Sequence, residues 1–234
     1  MEEKDSPRAE ILNLIDDKDL HSLLDKAALF HGHYCPGLAL GVKASYTALK
    51  EIDAKPEGME DVLAIVETNN CSTDGVQLMT GCSFGNNSLI FKDLGKNAVT
   101  LTKRDAKGIR IVTKKDAGKQ WYDEFPKYRE LFEKVVIERN AIEDEKKRFS
   151  EFGEKVSHHI MDIESEKLFK VEKTGVEIPD YAPIHESLTC ENCGESVMST
   201  RTVKDDGETL CLLCGGEEFF ELDGYGINCK CDKR

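Results

Sequence analysis

Two imidazoles and a thiol stand within five residues in His31-Gly32-His33-Tyr34-Cys35, and Pro36-Gly37 follows at once. Thiolate and neutral imidazole together suit borderline-soft ions such as zinc or ferrous iron, whereas hard ions take all-oxygen shells. Cys71 and Cys82 follow in a stretch rich in Gly, Asn and Asp. Two histidines and a cysteine at alternate loop positions, with a further cysteine at a helix start, mark metal or thiolate chemistry. The competing reading is solvated loop histidines and apolar filler cysteines.

A second cysteine set lies near the C-terminus, as Cys190-x2-Cys193 and Cys211-x2-Cys214. Four thiolates at this spacing form two zinc knuckles, with Gly194 allowing the tight backbone of the first. A module this short buries too little apolar surface to fold without a staple, so the expected occupant is a structural zinc. Cys229 and Cys231 are read as a solvent-near tail or an accessory ligand, because one-residue spacing rarely gives a relaxed disulfide.

The elements that must position the first cluster follow from periodicity. Ile11, Leu14 and Ile15 predict a helix, and Asp19 caps a second carrying Leu20, Leu23, Leu24, Ala27 and Ala28, which delivers His31 to a loop. Pro36 suits a first helical position, and Leu38, Val42, Leu49 and Ile52 continue at helical spacing. Lys55-Pro56-Glu57-Gly58 then reads as a turn. Val62–Val66 is an apolar β-branched run, hence a buried strand, and Ser72, Thr73 and Asp74 supply the start of a helix ending at Gly81. Cys71 therefore lies just before a helix N-terminus, where the macrodipole favours thiolate. Strands are expected at 88–92, 98–103 and 109–113, with a late one at 168–171. From Trp121, apolar residues three and four apart through Ile163 predict a long helical segment over 119–165, bent at Gly153 and packing on the sheet or across a dimer. The fold class is α+β, helices on one mixed sheet. The expected organisation is a domain over 1–176, a two-proline linker over 177–187 and a zinc-finger domain over 188–234.

The chain has 234 residues, 39% of them hydrophobic, with a net charge of −13, which disfavours nucleic acid and anionic lipid as partners. Nine cysteines could suggest a disulfide framework, but the odd number and the paired spacings argue for metal ligation. Residues 1–5 carry no export pattern and no apolar run is long enough to span a bilayer, so the expected location is the cytoplasm and no membrane partner is expected.

The terminal string CENCGESVMSTRTV…LCLLC resembles the DksA/TraR type of zinc finger and, more broadly, treble-clef knuckles, over about 25 residues. The HxHxCPG and CxxDxxQxxxGC strings, here HGHYCPG and CSTDGVQLMTGC, resemble the FmdE family of formylmethanofuran dehydrogenase proteins over residues 20–115. That resemblance implies an α-β-α-β-β-β layer and association with a molybdenum or tungsten dehydrogenase of C1 metabolism. It carries over His31, His33, Cys35, Cys71, Asp74, Gln77 and Cys82 as motif residues. His33 and Cys71 with His31 or Cys35 are the expected ligands of a second zinc or other transition ion, leaving one coordination position open, with Asp74 and Cys82 supporting them from behind. The expected function is an accessory or metal-handling protein, homodimeric through its helices. A stand-alone enzyme using the metal or the Cys71 thiolate on a small polar substrate, and a regulatory protein docking through its finger, are the alternatives.

Overall fold

The computed structural model describes residues 6–56 and 61–231, so the turn expected at 55–58 and the first five residues lie wholly or partly outside the described residues. The chain divides into two compact units, 1–178 and 179–234.

The first unit opens with α1 (Ala9–Asp16), α2 (Leu20–His31) and α3 (Pro36–Ile52). Asp19 caps α2 by accepting the Ser22 N–H, and Leu23, Leu24 and Ala27 face the core completely buried. Each such leucine is worth about 2 kcal/mol of burial. Then come β1 (Val62–Val66), α4 (Cys71–Thr80), β2 (Leu89–Phe91), β3 (Ala98–Lys103) and β4 (Lys107–Thr113). The remaining elements are α5 (Lys119–Tyr122), α6 (Pro126–Phe132), α7 (Glu143–Asp162), α8 (Ser165–Leu168) and β5 (Phe169–Gly175).

The sheet runs β2-β1-β3-β4-β5, parallel between β1 and β2 and antiparallel elsewhere, so it is mixed. Every residue of β1 is buried, which is why its pattern is a continuous apolar run rather than an alternation. Helices α3 and α4 pack against this sheet and against each other. At its polar end, Arg110 of β4 grips both oxygens of buried Glu67 at 2.6 and 2.8 Å and reaches Glu172 of β5 at 2.8 Å. Buried Lys43 of α3 donates to the carbonyls of Ile160 and Met161 in the last turn of α7, at 3.2 and 2.6 Å.

The helical segment predicted over 119–165 corrects in detail. It breaks after a π-helical turn at Glu133–Ile137, where Arg139 takes φ +53° and Glu145 caps the Ile142 N–H at 3.1 Å to start α7. Ile142, counted toward the apolar face, is instead exposed just past the break, as is Ile137 before it. Gly153 causes no bend. It lies inside continuous α7, where a Cβ would come 2.9 Å from the Tyr34 carbonyl oxygen, so the glycine serves close packing on the His/Cys loop.

The second unit contains three two-stranded sheets: β6 (Ser187–Thr189) with β7 (Ser196–Met198), β8 (Thr202–Asp205) with β9 (Glu208–Cys211), and β10 (Phe219–Asp223) with β11 (Gly226–Lys230). A single turn, α9 (Leu212–Gly215), follows β9. The buried hydrophobic cluster described in this unit is Cys190, Leu210 and Cys211.

Candidate metal centres

Gly32 ends α2 in the left-handed region at φ +96°, which makes His31 the last helical residue and turns the chain toward α3. Cys35 is the N-cap of α3, its sulfur accepting the Leu38 N–H at 3.4 Å, and Pro36 fixes the first helical position. Asn70 caps α4 by accepting the Ser72 N–H at 3.0 Å, which places Cys71 in the first turn. The helix thus starts one residue earlier than the sequence pattern places it, with Cys71 inside the first turn rather than just before it. Both sulfurs sit at helix N-termini, whose exposed N–H groups favour negative charge.

The two helices meet because glycines line their crossing. A Cβ on Gly41 would lie 2.0 Å from the Ser72 carbonyl oxygen, and one on Gly75 would lie 2.7 Å from the Leu38 oxygen. This backbone-to-backbone approach brings ligand atoms of His31, His33, Cys35 and Cys71 within 4.8 Å of one another. His31 Nδ1–H donates to Asp74 Oδ2 at 2.7 Å, and Gln77 holds the other Asp74 oxygen at 3.1 Å. That fixes the His31 tautomer and leaves Nε2 bare, 3.8 Å from Cys35 Sγ. A tetrahedral ion with ordinary Zn–S and Zn–N bonds spans about 3.6 Å between sulfur and nitrogen, so the residues fit such an ion. The His33 ring lies 4.4 Å from that of His31 and is exposed.

The Cys35 thiol donates to the Cys71 sulfur, which, with the nearby His31 and His33, holds Cys71 down to about 5, while the same bond and burial push Cys35 up. One proton is shared by the pair, the arrangement a metal ion displaces on binding. Tyr128 of α6, which periodicity assigned only to the core, has its phenol raised chiefly by burial and lies close enough to Cys35 and Cys71 to feel them. No sequence spacing marks it as a neighbour of the thiols.

Cys82 is not part of this centre, which corrects the supporting role given to it. It is 1% exposed and its thiol donates to the Val62 carbonyl at 3.3 Å. The ten residues of α4 carry it about 15 Å from Cys71.

In the second unit, ligand atoms of Cys190, Cys193, Cys211 and Cys214 also lie within 4.8 Å of one another. Backbone N–H groups of Cys193 and Cys211 pull the Cys190 thiol down to about 6, and Cys211 accepts the Cys214 N–H at 3.4 Å. Cys229 and Cys231 are exposed and stand outside the quartet, with Cys231 donating to the Gly216 carbonyl at 3.5 Å.

The sequence model of the family described as "FmdE, Molybdenum formylmethanofuran dehydrogenase operon" matches residues 30–170, more than half the chain. The chain belongs to the FmdE family. A solved relative, described as a tungsten formylmethanofuran dehydrogenase FmdE-like protein from Syntrophus aciditrophicus, is 25% identical. It superposes with a TM-score of 0.52, covering 84% of this chain and 92% of that one. A curated relative from Archaeoglobus fulgidus, called "Probable S-adenosyl-L-methionine-binding protein", is 45% identical over 213 residues, or 89% of this chain. This chain spans 56% of that relative's length. No helix among the described residues is long and apolar enough to cross a membrane.

Proposed function

We propose that this FmdE-family chain is a metal-handling protein that takes up a borderline-soft transition ion, zinc or ferrous iron, on His31, His33, Cys35 and Cys71. The observation that carries the reading is the convergence of two thiols and two imidazoles at a pair of helix N-termini, with Asp74 orienting one ring. When bound, the ion supplies a Lewis-acid centre. The chain's residues do the rest: Asp74 and Gln77 hold His31, the two helix ends stabilise thiolate, and exposed His33 is the ligand free to swing away and open a position for exchange. The terminal quartet holds a structural zinc in a treble-clef-like module. The family description and the name of the S. aciditrophicus relative support an accessory role beside a molybdenum or tungsten formylmethanofuran dehydrogenase. A homodimer built through the helices is part of the same proposal and rests on the helical pattern alone.

Metal analysis of the purified full chain tests the first claim. The wild type should carry one equivalent more than the His33→Ala, Cys71→Ala double variant, and equal content in the two would refute it. The A. fulgidus relative gives a second reading, recognition of a sulfonium nucleoside, supported by 45% identity across 89% of this chain. Calorimetric titration with S-adenosylmethionine should then show saturable binding; no heat at millimolar ligand would remove that reading.

A further inference from the structure

Two His-x3-Asp pairs lie outside the metal cluster and face each other: His21 with Asp25 on α2, and His158 with Asp162 on α7. A spacing of four puts both members of each pair on one helix face. Their contacts run crosswise. His21 Nε2 lies 2.9 Å from Asp162 Oδ1, and His158 Nε2 lies 3.1 Å from Asp25 Oδ1. The Tyr34 hydroxyl donates to the same Asp25 oxygen at 2.9 Å.

A carboxylate only accepts, so each Nε2 carries a hydrogen and each neutral ring presents a bare Nδ1. The two Nδ1 atoms are 2.9 Å apart. The ring planes differ by 8° and the centroids lie 5.2 Å apart, which is the Nδ1 separation extended by a ring radius at each end. The rings therefore stand edge to edge in nearly one plane, with their lone pairs head on. Lone pairs so opposed repel, and a positive charge must lie between them. An N–H···N contact of about 2.9 Å is an ordinary hydrogen bond, whereas a tetrahedral transition ion keeps its nitrogens about 3.3 Å apart. The separation selects the proton.

We infer that His21 and His158 share one proton between their Nδ1 atoms, forming a clasp that fastens α7 to α2 and to the Tyr34 loop and that opens when a second proton binds. The closed pair holds three ring protons on four nitrogens, hence one positive charge between two carboxylates. A fourth proton would set N–H against N–H. The charged and titratable groups that face the pair are Asp25 from α2, Asp162 from α7 and the Tyr34 phenol from the loop. Glu154 of α7 acts on Tyr34, and Lys43 of α3 acts on Asp162. Because Gly153 of α7 also seats against the Tyr34 carbonyl, release of the clasp loosens the segment between His33 and Cys35. The clasp stands whether or not an ion binds that segment.

Nuclear magnetic resonance on the full chain with 15N-labelled histidine tests this. At neutral pH, one Nδ1 should be protonated and one bare, with scalar coupling between them. Acidification should abolish the coupling and lower the protection of α7 amides, corrected for intrinsic exchange, by about tenfold, while β3 keeps its protection. In His158→Gln, α7 protection should no longer depend on pH over that range. Two independently protonated rings without coupling, or α7 protection unmoved by acid, would overturn the inference. So would stoichiometric zinc bound by this pair in the His33→Ala, Cys71→Ala background. Should His158→Gln fail to fold, the wild-type coupling decides alone.

Discussion

At Asp74 one carboxylate decides which nitrogen of His31 is available to a metal, because its bond to Nδ1 leaves Nε2 toward Cys35. Loss of such a support costs 10–100-fold in affinity in known metal sites. Asp74→Asn should therefore raise the chelator sensitivity of the first site by about tenfold, read by competition with a chromogenic chelator, while the cysteine quartet keeps its ion. Glu67 makes a different prediction. Its bond from Arg110 holds its carboxyl below the ordinary value, so it contributes stability above the unfolded-state value, and that contribution disappears as pH falls through the depressed one. Glu67→Gln should cost about 3 kcal/mol at neutral pH in urea unfolding, and the gap from wild type should close in acid. A gap independent of pH would show that the ion pair is not its source.

Among the elements, the crossing of α3 and α4 does the positioning, and glycine permits it. Gly41→Ala would drive a methyl into the Ser72 backbone, where no flexible side chain can yield, so the helices must part. The expected outcome is destabilisation by about 3 kcal/mol with loss of the first ion and retention of the second, measured by thermal unfolding and metal content. At Gly153 two effects compete. Alanine gains about 1 kcal/mol in helix propensity, but its Cβ would meet the Tyr34 oxygen at 2.9 Å. The contact wins, and Gly153→Ala should be net destabilising in the same assay.

These elements also show where reading the sequence succeeds and stops. The α2 start at Asp19, Pro36 opening α3, and strand 98–103 follow from side-chain types with local causes: a capping carboxylate, a fixed φ and apolar β-branched residues. The break near Arg139 escapes the pattern because Ile142 stands seven residues after Val135, as two helical turns would place it, although the fold leaves Ile142 exposed. Spacing gathered His31, His33, Cys35 and Cys71 as one group, but misplaced Cys82, since only the length of α4 shows how far apart its ends lie. The His21–His158 pair depends on α2 meeting α7, a tertiary contact that no local window contains.

For the molecule as a whole, the two units differ in what holds them together. The first has an extended apolar core, while the described hydrophobic cluster of the second is two cysteines and a leucine with a few partly buried neighbours. If the quartet holds an ion as proposed, that ion supplies the stability this small cluster lacks. Strong chelation should make residues 179–234 susceptible to limited proteolysis while the 1–178 unit stays resistant; joint survival or joint loss would contradict this division. The most direct test of the central claim is X-ray absorption at the zinc edge on the zinc-loaded full chain. Two filled sites, one of two thiolates and two imidazoles and one of four thiolates, predict an average shell of about three sulfurs to one nitrogen, and an all-sulfur shell in His33→Ala, Cys71→Ala. An all-sulfur shell already in the wild type would contradict it.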